Sequence, residues 1–218
     1  MYRDRFRIGP ALALGLGVVL VIGGCLDPGD AEDVDSPAVA GGWSTAGCAV
    51  PRIPEHVTVG GARVPVTPPK LDAVMSRIDQ AGRAEFRDSF AGLEVDQEHV
   101  LAIVYRVPST PFDDFIRKTA EDMCVQVRDA VHSTAELAVW HDRVLADLPY
   151  WNHEGVGIVS VGARHDGSGI EIGVRDVGRA RPALVARYGA RAPLIIVSAD
   201  PVRPLPAETS RVAPPPGI

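Results

Sequence analysis

Lysine is almost absent from this 218-residue chain: of its 22 basic residues only Lys70 and Lys118 are not arginine. Aromatic residues make up 6%, so any core has few large rings to build on. Cysteine occurs three times, at 25, 48 and 124. That excludes the disulfide-dense scaffolds of very small secreted domains, and no CxxC pair exists for a redox motif or a zinc site. No HExxH, GxSxG or phosphate-binding glycine loop occurs, so the one-segment signatures of those chemistries are missing. The histidines, at 56, 99, 132, 141, 153 and 165, are never three or four apart, the spacing that sets two imidazoles on one helix face for a metal. No metal and no cofactor is expected.

Charge is also missing from Ile8 to Leu26, behind a positive start formed by Arg3, Arg5 and Arg7. The apolar run closes on Val21-Ile22-Gly23-Gly24-Cys25, with small residues just before the cysteine. This is the layout of an export signal, and it resembles the lipobox of bacterial lipoproteins. The resemblance implies that residues 1–24 are removed, that Cys25 is acylated with several chains, and that the mature protein sits on the outer face of the bacterial cytoplasmic membrane. The arginine-for-lysine skew, with abundant Ala, Gly, Val and Pro, resembles proteins of GC-rich actinobacteria. Two other readings of the segment stay open. One is an uncleaved membrane anchor, weakened by five glycines among the 19 uncharged residues and by Pro10. The other is a secretory signal with Cys25 as an unmodified thiol. All three carry the rest of the chain across the membrane, positive end inside.

The whole chain has a formal charge of −6, and residues 1–24 carry a net +2, so the mature chain stands at −8. Such a chain is a poor partner for nucleic acid or anionic lipid heads. Of the three cysteines, removal of the acylated one leaves Cys48 and Cys124. The exported compartment favours their pairing, which by chain entropy contributes about 4 kcal/mol. The alternative is two buried thiols.

Residues 25–47 read as the acylated cysteine and a flexible tether. Asp27 to Pro37 carries five acids, no base and no apolar period, and a chain of this length spans about 25 Å. Residues 201–218 hold six prolines and read as an extended tail. The domain between them, 48–200, reads as α+β: antiparallel sheet with helices, in two hairpin–helix–strand units. Val57 to Val66 alternates around Gly60-Gly61 as a hairpin. Thr67 caps a helix that begins with Pro68 or Pro69 and carries Leu71, Val74, Met75, Ile78 and Phe86 on one face. A buried strand covers 100–107, a helix opens at Thr110-Pro111, and a strand covers 124–131. Ser133 and Glu136 form a capping box for a helix over 134–150. Strands at 156–161 and 170–177 join through Asp166-Gly167-Ser168-Gly169. A short helix stops at Gly189, and a last strand covers 194–197.

A shift of 70 residues maps 100–127 onto 170–197 without a gap, with five identities: Val104/Val174, Val107/Val177, Arg117/Arg187, Ala120/Ala190 and Val127/Val197. Strand parity then predicts that the paired valines are buried at matching places and that Arg117 and Arg187 both face solvent. Convergence on a common layout without duplication is the alternative. Gly157-Ile158-Val159-Ser160-Val161, the turn at 166–169, Ile170 to Val177 and Tyr188-Gly189 resemble the small hairpin–helix–strand modules of secreted bacterial serine-protease propeptides. That resemblance covers about half of the mature chain. No protease domain follows, so it permits an inhibitor or folding helper acting in trans.

Candidates for chemistry are few. Ser168 belongs to a hairpin tip, which its turn chemistry explains. Asp113-Asp114 and Glu121-Asp122 are adjacent pairs whose side chains diverge, unlike the facing carboxylates of a glycosidase. No catalytic residue is assigned. Trp140, Tyr150 and Trp151 cluster within 12 residues beside His153. Exposed, they stack on a ligand such as a sugar face; buried, Trp140 lies on the core stripe and Tyr150-Trp151 close the helix end. Packing is the preferred reading. The expected function is binding of an envelope protein, without chemistry. The alternative is an envelope hydrolase whose site assembles from scattered residues.

Overall fold

The run Leu101-Ala102-Ile103-Val104 is apolar at every position, as a strand covered on both faces must be, and in the computed structural model, which describes residues 41–201, it lies at the centre of the larger sheet. That sheet has the order β1-β6-β5-β4: Gly42–Ser44, Val125–Asp129, Leu101–Arg106 and Phe90–Asp96. β5 runs parallel to β6 and antiparallel to β4, and β1 pairs antiparallel with the outer edge of β6. Helices α1 (Pro69–Ala84) and α2 (Thr110–Ala120) cover one face. Leu71, Val74, Ile78, Phe90, Phe112, Ile116 and Val104 are fully buried there. The other face holds Leu101 and Ile103 against the Cys48–Cys124 disulfide, whose α-carbons are 4.2 Å apart.

A second sheet of order β7-β8-β9 is formed by Ile158–Ala163, Ile170–Val174 and Leu194–Ser198. Its helices are α3 (Thr134–Ala146), α4 (Leu148–His153) and α5 (Val177–Tyr188). They enclose a separate core of Leu137, Val144, Trp151, Ile170, Ile172, Leu184 and Ile196. The fold is thus α+β, with two hairpin–helix–strand units of the same strand order and sense. A third, two-stranded sheet stands by itself: β2 (Glu55–Val59) and β3 (Ala62–Val66), joined by Gly60 and Gly61. Both glycines have positive φ, +58° and +84°, as a two-residue hairpin turn requires.

The register between the units differs from the gapless shift of 70. Both hairpins carry a bulge at one place, between Phe90 and Gly92 and between Ile158 and Ser160. It sets Phe90 on Ile158 and Arg106 on Val174, an offset of 68. The buried helix positions follow the same offset: Phe112 with Ala180, Ile116 with Leu184, Ala120 with Tyr188. One further residue before the last strand sets Val127 on Ile196, an offset of 69. Val104 and Val174 are both buried, but Val197 is turned to the opposite face from Ile196, and Val107 and Val177 lie in a loop and a helix respectively. Even offsets preserve strand parity, and the extra residue before β9 reverses it.

Other expectations are corrected too. Residues 42–47, assigned to the tether, are β1 and the start of a 3₁₀ turn at Ala46–Ala49; Thr45 N–H donates to the carbonyl of Val125 at 3.0 Å. Thr67 does not cap α1; Pro68 occupies the cap, and Thr67 Oγ1 accepts from Gln97 Nε2. Ser133 does cap α3, accepting from Glu136 N–H, while the Glu136 carboxylate turns to His132. The helix expected over 134–150 breaks at Asp147, and Pro149 enters the first turn of α4. Strand β4 had no signal of its own because Gly92 interrupts its apolar run. A β-carbon there would collide with the carbonyl of His165, so the glycine admits the β7–β8 hairpin tip against the first sheet. Cys25 and the tail beyond Pro201 lie outside the described residues. Among the described residues no helix is long and apolar enough to cross a membrane.

Candidate functional site

The break at Asp147 is what makes a site. It turns α4 against α5 and leaves a groove of about 580 Å³ between them. Ala183 and Ala186 line it with small side chains, Tyr150 and Glu154 come from the α4 side, and Arg179 and Arg187 come from α5. The positions 179, 183, 186 and 187 share one helix face by their spacing.

A hydrogen-bond relay fixes this arrangement. Buried Trp151 donates from Nε1 to Tyr188 Oη at 3.0 Å, and Tyr188 O–H donates to Asp147 at 2.9 Å. Arg187 grips the same carboxylate through Nε at 2.7 Å and an outer nitrogen at 2.6 Å. These Arg187 hydrogen bonds, opposed by desolvation and aided by Tyr188, hold the Asp147 carboxyl below the usual range. Burial, then the Asp147 contact, pushes the Tyr188 phenol up. The Arg187 guanidinium also lies 4.0 Å from the Tyr150 ring centroid, a cation–π stack. Arg143 sits 5.3 Å from both Trp140 and Tyr188 on the other side.

Of the three aromatics singled out by sequence, only Tyr150 is available to a ligand, at 41% exposure. Trp151 is 1% exposed and, though it backs the groove, offers a ligand almost no surface. Trp140 is half-buried, edge-on to Tyr188. Missed were the arginines. Residues 175–191 carry five arginines and one acid within an acidic chain. Arg179 donates to the carbonyl of Glu154 and Arg181 to that of Ile196. Among the described residues, Arg187 has a carboxylate partner within 4.0 Å, and Arg175, Arg179, Arg181 and Arg191 have none. The run was visible in the sequence; that two of its members, Arg179 and Arg187, meet Tyr150 at one groove was not.

A second polar cluster joins the two sheets. Glu94 accepts from Tyr105 O–H at 2.9 Å, and its other oxygen lies 2.8 Å from His165 Nε2. It stands beside the Gly92–His165 approach and ties the β7–β8 hairpin tip to the first unit. No group of three or more metal-ligating side chains occurs among the described residues. No protein-family model, curated protein or solved structure matches this chain.

Proposed function

We propose that this chain is a lipid-anchored extracytoplasmic binding protein, held by acylated Cys25 on the outer face of the bacterial cytoplasmic membrane, that contacts an acidic segment of an envelope protein without chemistry. The observation that carries the reading is a preformed groove on a net acidic molecule, lined by Arg179, which has no carboxylate partner, and by Arg187, which holds Asp147. Isolated surface cations scattered among acids gain little from one another. Here Arg179 and Arg187 flank two alanines, so an extended chain can approach closely while a carboxylate on it meets Arg179, the one of the two without a carboxylate partner. Tyr150 supplies a rigid aromatic wall at low entropic cost.

A photo-crosslinking residue in place of Ala183, in whole cells, tests this. The expected result is a discrete protein adduct that is lost with Arg179→Glu and weakened by salt. Adducts unchanged by Arg179→Glu, or matched by a crosslinker at Val139, sink the groove. The anchor is read separately: Cys25→Ala should release the protein from membranes or leave it unprocessed.

A further inference from the structure

We infer that the β2–β3 hairpin is a membrane-contacting arm whose apolar face seats in the headgroup–acyl boundary of the bilayer. The inference rests on the reading that Cys25 is acylated. The cross-strand register sorts the hairpin into two faces. Directly opposed residues share a face, so Val57 with Val64, Val59 with Ala62, and Val66 with Glu55 at the base fall on one side. His56, Thr58, Arg63 and Pro65 fall on the other, where Arg63 approaches His56 at 3.4 Å. An alternating hairpin of this kind ordinarily lays its apolar face on a core. This one does not: Val57 is 45% exposed, Val59 63% and Val64 41%. The approach segment adds Val50 at 59% and Ile53 at 91%. Half of the large hydrophobic residues exposed among the described ones therefore lie between residues 50 and 64. A lone two-stranded hairpin is marginal in water, so an uncovered apolar face points to cover from outside.

Three features choose a bilayer as that cover. First, only residues 26–40 separate Cys25 from the described fold, so a lipid at Cys25 keeps Gly41 within about 55 Å of the surface whatever the path of the chain. Tethering on this scale gives effective concentrations of about millimolar, so a weak apolar contact suffices. Second, apart from Glu55 at the base, the end away from the turn, the face consists of valine and alanine. A protein interface concentrates Trp, Tyr and Arg anchors, and this face has none. Third, Arg63 is the single charge between Val57 and Val66. It lies on the opposite face beside the glycine turn, where its long stem reaches headgroup phosphates.

The test uses the full mature chain with Val59→Cys labelled with an environment-sensitive nitrobenzoxadiazole dye, and Val139→Cys as the control, in phosphatidylcholine–phosphatidylglycerol vesicles. Flotation of the same sample reports the anchor. The expected result is a blue shift, a severalfold rise in emission, and quenching by nitroxide-labelled lipid at position 59 and not at 139. Val59→Asp, on an arm outside both cores, should lower vesicle binding of the unacylated chain severalfold. If the chain fails to float, the anchor reading has failed; millimolar lipid then replaces the tether, and the dye at 59 still decides the arm. Equal emission at 59 and 139 at that lipid concentration overturns the inference. So does a shift at 59 that needs added envelope protein, or one that follows protein concentration without lipid, as pairing of two copies would produce.

Discussion

At the end of its central strand the first unit buries Arg106; in the equivalent place the second unit buries Val174. The backbone around the two is the same. Ala130 N–H donates to the carbonyl of Arg106 at 2.8 Å, and Ala199 N–H to that of Val174 at 2.9 Å. What differs is the company. Arg106 is bound by Asp113, at 2.7 Å, and by Asp129. Burial works against its charge, and the two carboxylates outweigh that and raise its pKa. At the positions of Asp113 and Asp129 the second unit has Arg181 and Ser198, and Arg181 reaches out to the Ile196 carbonyl. The first unit turns its charges inward and the second turns them out, onto the α5 surface. A buried ion cluster is therefore not a requirement of this fold, since an apolar residue fills the same slot.

The outer edges differ as well. β6 is covered by β1, which the Cys48–Cys124 disulfide holds in place. Among the described residues β9 has no such strand and is the edge of its sheet. A free edge is a hazard for unintended pairing, and the Arg181 contact at Ile196 guards it.

The sharpest way to break the comparison is to remove one partner of the ion cluster. Arg106→Ala leaves two partly buried carboxylates without their cation and should cost about 3–5 kcal/mol in urea unfolding. Arg106→Val with Asp113→Ala and Asp129→Ser imports the apolar solution of the second unit. It should recover that loss, to within about 1 kcal/mol of wild type or above it. A triple variant as weak as the single one would show that the slots are not interchangeable.

Next in size is the disulfide. Cys48→Ser with Cys124→Ser opens a bridge of separation 76 and should cost about 2–4 kcal/mol. Hydrogen exchange should rise first in β6, whose edge then resembles that of β9. Uniform exchange across both sheets would deny β1 its role as a cover.

The smallest effect is the acid response of the second unit. Asp147 has its pKa depressed below the ordinary 3.8, by the Arg187 hydrogen bonds first. A depressed acid contributes stability above its unfolded pKa and loses it as pH falls through its folded one. Trp151 fluorescence should therefore hold steady from neutrality to about pH 4 and change below it, and Asp147→Asn should remove that dependence. An unchanged acid profile in the variant would disconnect Asp147 from the Trp151–Tyr188 relay.

Much of this architecture was legible because hydrophobic period and turn chemistry act locally. The runs around Leu101 and Ile170, the Asp166–Gly169 turn, the Gly60-Gly61 hairpin and the Leu137–Val144 stripe each announce themselves within a few residues. The long-range contacts did not. β4 was hidden by Gly92, a residue whose reason is the carbonyl of His165. β1 was hidden because three residues carry no period, and their pairing with β6 is a tertiary choice. The helix break at Asp147 has a local signal in Pro149, but the bidentate grip of Arg187 on Asp147 spans forty residues, so neither the groove nor the arginines that flank it could be placed from sequence.

The disulfide also settles how the domain bears load. Any pull on the chain ahead of Gly41 first strains β1, which meets β6 at only three residue pairs. Those bonds give way readily, but the slack ends at Cys48. From there the force passes through a covalent bond to Cys124, directly beside the start of β6. β2, β3 and α1, which follow Cys48, are bypassed, so tension reaches the central sheet without first unravelling them. The domain is thus joined to the chain ahead of it by a break-away strip backed by a covalent stop.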